Sequence, residues 1–526
     1  MMRRRRSLPR NSSRTIARTD TSDIPVMTAT RDALNWTARV GRPTSPSPFE
    51  SLMKRLHNVV PIPTRRLFAS RSLALLGLFC GQQLSAQTAA DFTKLAPAAR
   101  RIVAAARTDS EPYRRLGQLV DGFGNRLSGS ASLEKAIDWI LVEMQRDGFA
   151  NVRGEPVMVP HWVRGAESAT LLAPRETPLH MLGLGGSIGT VAEGITAEVL
   201  VVHSFDDLAR RKTEAAGKIV LFNFPFPKES APFAGYDVAV QYRGAGATAA
   251  AKVGAVAMLL RSVATFSIQS PHTGGMRYDS TTRKIPAAAL SVEDAAMLDR
   301  MQARGDRVRV KLLMSAQMLP DAPSRNTVAE LRGRELPDEV VVIGGHIDSW
   351  DVGQGAMDDG GGSVAAWEAV KLLKTLGLTP RRTVRVVLWT NEENGGRGGA
   401  GYRDAHKSEL AKHFAAIESD NGIFRPTGFR FQGTSAAAKR AALLAQLTSL
   451  AGAKTIVPGD GEADVEPILR EGVPGFALDV DASRYFWYHH TQADMLNVVS
   501  DTDLRRCVAA MAILVYALAE MPGTLR

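Results

Sequence analysis

Between residues 92 and 160 the apolar positions recur with helical spacing. In "LEKAIDWILVEMQRDGF", Ile137, Ile140, Leu141 and Met144 share one face, which predicts amphipathic helices through this stretch. From about Trp162 to Gln317 the pattern shortens to β-like runs, "AEVLVV", "GKIVLFNF", "AVAMLL" and "VRVKLLM", in a Gly/Ala-rich background. That change predicts a separate domain inserted into the first. After "LPDAPSRN" the chain alternates: "EVVVIGGH" as strand, "GSVAAWEAVKLLKTLG" as helix, "TVRVVLWTNEE" and "FAAIESDNG" as strands, "AAKRAALLAQLTSLAG" as helix and "VPGFALDVD" as strand. Apolar strands separated by helices of this length predict an α/β fold with a mostly parallel central sheet covered by helices on both faces. The last helix, "DTDLRRCVAAMAILVYALAEM", keeps Leu504, Val508, Met511, Leu514 and Val515 at helical spacing, with Ser500 and Asp503 as its capping pair.

A chain of 526 residues exceeds one ordinary domain. Its formal charge of +11 invites a nucleic-acid reading, but residues 1 to 90 hold 15 Lys+Arg against 4 Asp+Glu, leaving 50 of each sign in the rest. The body is neutral, and nucleic acid is excluded as the expected partner. The division expected is therefore a leader over 1–90, an outer domain over 91–161 and 318–526, and an inserted domain over 162–317.

The leader opens Arg/Ser/Thr-rich and without periodicity. From Met53 it reads as an export signal: a positive start, a short apolar run from Leu73 to Phe79 and a small-residue exit near Ala86. "TRRLF" resembles a twin-arginine signal, so either export route stays open, while Phe79 before Cys80 argues against lipoprotein processing. Removal of the leader leaves Cys507 alone, a core thiol by its helical position. No apolar run reaches the roughly 20 residues a membrane-spanning helix needs, so stable membrane insertion is not expected.

The polar residues worth chemistry stand where strands end. His346 and Asp348 follow the first strand of the alternating region and open "GGHIDSWDVGQGAMDDGGG"; Glu392 and Glu393 follow the second, Asp420 the third, and His490 lies in "YFWYHHTQADML" after the last. In parallel sheets ligands gather beyond the carboxyl ends of strands. Carboxylates this dense repel one another unless a cation joins them, and carboxylate oxygens with imidazole nitrogens suit zinc or a similar divalent ion.

Five fragments, His346-x-Asp348, Asp358-Asp359-Gly-Gly-Gly, Glu392-Glu393, "SDNG" with Asp420, and His490-Thr491-x-x-Asp494, resemble in order and spacing the zinc peptidases that include bacterial leucyl aminopeptidases, glutamate carboxypeptidases and the transferrin-receptor ectodomain. The plasma glutamate carboxypeptidase branch is the nearest in pattern. The resemblance implies the zinc aminopeptidase fold, with 162–317 as a protease-associated-like domain, and two Zn²⁺ per chain. It makes Asp358 the bridging carboxylate, Glu393 and His490 ligands of one zinc, and His346 and Asp420 ligands of the other. With a bridging hydroxide that cluster is neutral, as a buried site requires. The resemblance also implies a cis peptide between Asp358 and Asp359, and a homodimer.

Within that frame Asp348 is expected to accept from the second ring nitrogen of His346. Glu392 is expected as the general base, passing a proton from a metal-activated water to the leaving amine. Gly360, Gly361 and Gly362 are expected to serve unusual dihedrals beside the site. The implied reaction is exopeptidase hydrolysis of dipeptides or short peptides. Its direction stays open: an acidic site favours an α-ammonium, whereas a carboxypeptidase needs cationic anchors, for which Arg397, Arg425 and Arg484 are candidates.

Blander readings cover the rest. Asp351 and Asp359 fit loop acceptors or helix-start residues better than ligands, His489 divides evenly between packing and substrate contact, and His161, His180, His203, His272, His406 and His413 have no metal spacing. "GRGGAGYR" lacks the Lys-Ser/Thr of a phosphate loop. Two rival functions use related folds: a glutaminyl cyclase-like zinc enzyme, and a non-catalytic receptor-like scaffold, whose mark would be lost ligands.

Overall fold

The computed structural model describes residues 94–227 and 231–526; the expected leader and export signal fall outside them. In chain order the strands are β1 (Ala150–Val163), then β2 to β9 (Glu167–Ala173, Thr177–Leu179, Met181–Gly183, Ile195–Val202, Ile219–Phe222, Ala257–Arg261, Ala287–Leu290 and Arg309–Met314). They are followed by β10 (Gln317–Leu331), β11 (Leu336–His346), β12 (Arg382–Trp389), β13 (His413–Glu418), β14 (Pro426–Gln432), β15 (Thr455–Pro458) and β16 (Gly475–Val480). Two eight-stranded sheets result. One runs β1-β10-β12-β11-β13-β16-β14-β15, and the other, β3-β2-β9-β5-β6-β7-β8-β4, is made entirely of chain lying between β1 and β10.

The middle of the first sheet is parallel, from β12 through β11 and β13 to β16, as the apolar runs predicted. Its flanks add antiparallel pairs, β1 with β10, β10 with β12, and β14 with β16. Strands covered on both faces need side chains that are apolar in both directions. In β11, Val341 and Ile343 join the large core under the helices Gly361–Thr375 and Asp501–Glu520, while Val340 and Val342 face a second core with Trp389 and Tyr402. The C-terminal helix is capped by Ser500, whose hydroxyl accepts from the Asp503 amide, and the Cys507 thiol is fully buried, donating to the Phe424 carbonyl.

Two sequence expectations are corrected here. The helical reading holds for residues 94–106, Glu111–Phe123 and Ala131–Arg146, but 150–160 belongs to β1; Pro156 and Pro160 would each break a helix interior. "LPDAPSRN", after which the alternation was expected to begin, already lies inside a strand, β10. Its prolines are tolerated because residues 317–326 pair with β1 alone, so their other edge needs no ladder donor.

Candidate active site

Strand β11 ends on His346, and β12, β13 and β16 deliver their following loops to the same place. The structure brings His346, Asp358, Glu393, Asp420 and His490 together. His346 Nε2 stands 3.2 Å from Asp420 Oδ1 and 3.5 Å from Asp358 Oδ1. His490 Nε2 stands 3.0 Å from Glu393 Oε2 and 3.4 Å from Asp358 Oδ2. The two oxygens of Asp358 therefore face two different pairs, each one imidazole and one carboxylate. His346 Nε2 and Asp358 Oδ2 are buried with no hydrogen-bond partner.

The donor set fits a divalent cation pair. Burial, and then the charge of neighbouring carboxylates, holds Asp359, Glu392 and Glu393 well above the usual carboxylate range. Behind them Glu418 and Asp464 are also buried and pushed up, again by burial first. Cations among these groups would remove the repulsion. Burial, then His489 and Arg243, keeps His490 well below the ordinary histidine value, leaving its ring neutral and free to ligate.

The surrounding residues set the geometry. Asp494 accepts from the amides of Ala356 (3.1 Å), Met357 (2.7 Å) and Asp358 (3.1 Å), fixing the backbone that carries Asp358. Asp358 and Asp359 are joined by a cis peptide. Asp359 spans the cluster's far side, accepting from the amides of His346 and Gly362 at 3.1 Å each, the helix-start role expected of it. Asp351 pairs with Arg164 at 2.6 Å. Asn391 and His490, neighbours of the cluster, both take positive φ, 66° and 61°, a conformation non-glycine residues adopt mainly where their surroundings enforce it.

Two expected details come out differently. The Nδ1 of His346 meets the backbone carbonyl of Asp348 at 3.0 Å, with the carboxylate at 3.7 Å. That carboxylate instead accepts from the amides of Glu392 (3.1 Å) and Glu393 (3.4 Å) and from the Ser128 hydroxyl (3.2 Å). Asp348 thus holds the loop bearing both glutamates, and its backbone orients the histidine. The glycines after Asp359 are needed for space: Gly360 and Gly361 have ordinary helical dihedrals, but a Cβ on Gly361 would stand 2.5 Å from Ile423 and one on Gly362 2.1 Å from the Ser419 carbonyl.

Sequence reasoning missed Arg126. Fully buried, it donates to the carbonyls of Ile347 (2.8 Å), Gln354 (2.7 Å) and Gly355 (2.9 Å), tying down the loop between His346 and Asp358. It also missed the inserted sheet's approach. The Thr273 amide donates to the His490 carbonyl at 3.0 Å, Arg243 Nη1 lies 3.5 Å from His490 Nδ1, and a Cβ on Gly185 would meet Trp350 at 2.0 Å. No spacing in the chain signals contacts between residues more than 150 positions apart. The candidate anchors do not converge on the site: Arg397 pairs with Asp321 (2.5 Å), Arg425 with Asp481 (3.0 Å), and exposed Arg484 lies over Phe424.

Known proteins resemble this chain over most of its length. The profile of Peptidase family M28 matches residues 326–515. Carboxypeptidase Q from Mus musculus is 47% identical over 433 residues, covering 82% of this chain and 90% of that protein. Among solved structures, a peptidase M28 precursor from Shewanella amazonensis superposes with a TM-score of 0.79 at 34% identity, over 82% of this chain and 98% of that one. A zinc aminopeptidase from Bacillus subtilis shares the fold, with a TM-score of 0.59 at 18% identity over 79% and 97% of the two chains.

Proposed function

The chain belongs to peptidase family M28 and is a zinc-dependent metallopeptidase, and on that premise we propose that it is an exported exopeptidase hydrolysing dipeptides or short peptides, with two zinc ions per chain and Glu392 as general base. One observation carries the reading: Asp358 turns its two oxygens toward two separate imidazole–carboxylate pairs. His346 and Asp420 would hold one ion, Glu393 and His490 the other, and Asp358 both. Zinc supplies Lewis acidity, lowering the pKa of a water and polarising the scissile carbonyl.

The protein's own part is proton handling and orientation. Glu392 follows β12 next to Glu393, yet forms no ion pair with either histidine; burial, and then the neighbouring acids, lift its pKa against the pull of His346, which suits a group that takes a proton from the attacking water and returns it to the leaving amine. Asp348 fixes its backbone, and Asp494 that of Asp358. The domain over 162–317 is read as protease-associated-like, and the assembly as a homodimer, which light scattering would check.

The test is release of amino acids from unblocked dipeptides by the purified chain and by Glu392→Gln. The variant is expected to keep its zinc and lose roughly 10²- to 10⁴-fold in kcat, the usual contribution of a general base. Retained turnover would remove Glu392 from the mechanism, and zinc binding without any peptide cleavage would point to the cyclase or scaffold readings.

A further inference from the structure

A cavity of about 630 Å³ opens where the helix over residues 94–106 meets the start of the C-terminal helix, the turn 449–454 and the beginning of β14. Its lining carries five cations, Arg107, Arg425, Lys454, Arg505 and Arg506, and no acidic side chain. Val103, Ala106, Ala451 and Ala509 make the rest of the wall largely apolar. No residue of the Asp358 cluster lines it. Residues 91–526 carry equal numbers of acidic and basic side chains, so this convergence of cations is local and not a share of a general excess.

Three of the five cations are partly neutralised. Arg425 pairs with Asp481 at 3.0 Å, Arg506 with Asp503 at 3.1 Å, and Arg505 Nε donates to Asp501 at 2.7 Å. The side chains of Arg107 and Lys454 meet no carboxylate among the described residues. Their backbone is nonetheless fixed: Arg505 Nη1 donates to the Arg107 carbonyl at 3.0 Å, and the Lys454 amide donates to the Thr427 carbonyl at 2.8 Å. Five cations against three carboxylates leave a formal charge of +2. A recess with apolar walls focuses such a charge, which a flat solvated surface would disperse. The surplus matches the charge of about −2 on a phosphate monoester at neutral pH. The volume lies within the roughly 300–1,000 Å³ of small-molecule sites, more than inorganic phosphate fills.

We infer that this cavity is a second binding site, separate from the metal cluster, for a small organic phosphate. Arg107 and Lys454 hold the phosphate oxygens by charge-assisted hydrogen bonds, and the organic body lies against Val103, Ala106 and Ala451. The inference stands independently of the hydrolase reading. It gives Arg425, which does not converge on the metal cluster, a place in another site. Arg425 lies five residues past Asp420, and its carbonyl accepts from the Asp481 amide at 2.9 Å, so the segment that bears a proposed zinc ligand continues into the wall of the cavity.

The test is titration calorimetry of the zinc-loaded, full-length protein with phenyl phosphate, inorganic phosphate and phenol, repeated with Arg107→Gln and Lys454→Gln combined. Both side chains are exposed, so the double variant should fold and keep its zinc. The wild type should bind phenyl phosphate about 10-fold more tightly than inorganic phosphate, the apolar wall adding to the charge, and phenol not measurably. The double variant should bind phenyl phosphate roughly 10- to 100-fold more weakly. Binding left unchanged by the double variant, as for phosphate held on the metal pair alone, overturns the inference. So does a wild type that binds no phenyl phosphate, or binds phenol equally well. Flotation with phosphatidylcholine vesicles containing phosphatidic acid separates two sources of the same chemistry. Capture that the double variant loses assigns a lipid headgroup, and phenyl phosphate binding without capture assigns a soluble phosphate ester; capture that the double variant retains counts against the cavity.

Discussion

Strand β12 serves two buried charged clusters that behave oppositely. Along its length Arg385 donates to Glu330 (2.8 Å), Glu409 (2.7 Å) and the Tyr402 hydroxyl (3.0 Å), while His406 and Arg153 both reach Glu155, at 3.0 and 2.6 Å. Beyond its end Glu392 and Glu393 join Asp348, Asp358, Asp359 and Asp420, with only His346 and His490 among them. Burial raises carboxylate pKa values in both places. In the first cluster the hydrogen bonds and charge of Arg385 and His406 outweigh it, drawing Glu409 down to about 2 and Glu155 below its ordinary value. In the second no side chain supplies enough positive charge, and Asp359, Glu392 and Glu393 stay high. One cluster is complete as a piece of protein, whereas the other, on the proposed reading, would be completed by cations from outside. That separates a structural ion network from a metal site although both use the same residue types.

The contrast breaks most completely under a chelator. Dialysis against 1,10-phenanthroline should abolish peptide hydrolysis, and added zinc should restore it, because no residue of the Asp358 cluster replaces the missing charge. Arg385→Met attacks the other cluster: leaving Glu330 and Glu409 without their cation should cost about 3–5 kcal/mol in urea denaturation, while zinc content stays unchanged in the folded fraction. The smallest effect is in pH dependence. Glu409 has a depressed folded pKa, about 2 against an ordinary 4.5, so its contribution is present above pH 4.5 and lost as pH falls toward 2. Its side chain is about a third exposed, so after screening this amounts to about 1–2 kcal/mol. Glu409→Gln should be less stable than wild type by that amount at neutral pH, and the difference should close on acidification.

Much of the outer domain was legible because its chemistry is local to strand ends. The runs "EVVVIGGH" and "TVRVVLWTNEE" each combine a two-faced buried strand with the residues that follow it, so one pattern gave both element and site. β1 reads as helix because its single edge pairing leaves no stronger mark in the sequence than helical spacing does, and Pro156 and Pro160 are the local signal against that reading. Arg126 and Arg243 were illegible for another reason. Each acts through tertiary contact, Arg126 on carbonyls more than 220 positions away and Arg243 on a histidine 247 positions away. Arginines of this kind look like any surface arginine until burial is known. The Gly274-Gly275 pair was the one local hint, marking backbone that something must approach closely.

No helix among the described residues is long and apolar enough to cross a membrane, and residues 91–526 carry equal numbers of acidic and basic side chains.

The central claim is that Asp358 bridges two cations, and metal stoichiometry tests it most directly. Purified wild-type chain, dialysed free of loose metal and measured by plasma mass spectrometry, should carry two zinc ions per chain. Asp358→Asn should carry fewer than one while remaining folded by circular dichroism. One zinc in the wild type, or two retained in Asp358→Asn, would contradict the account.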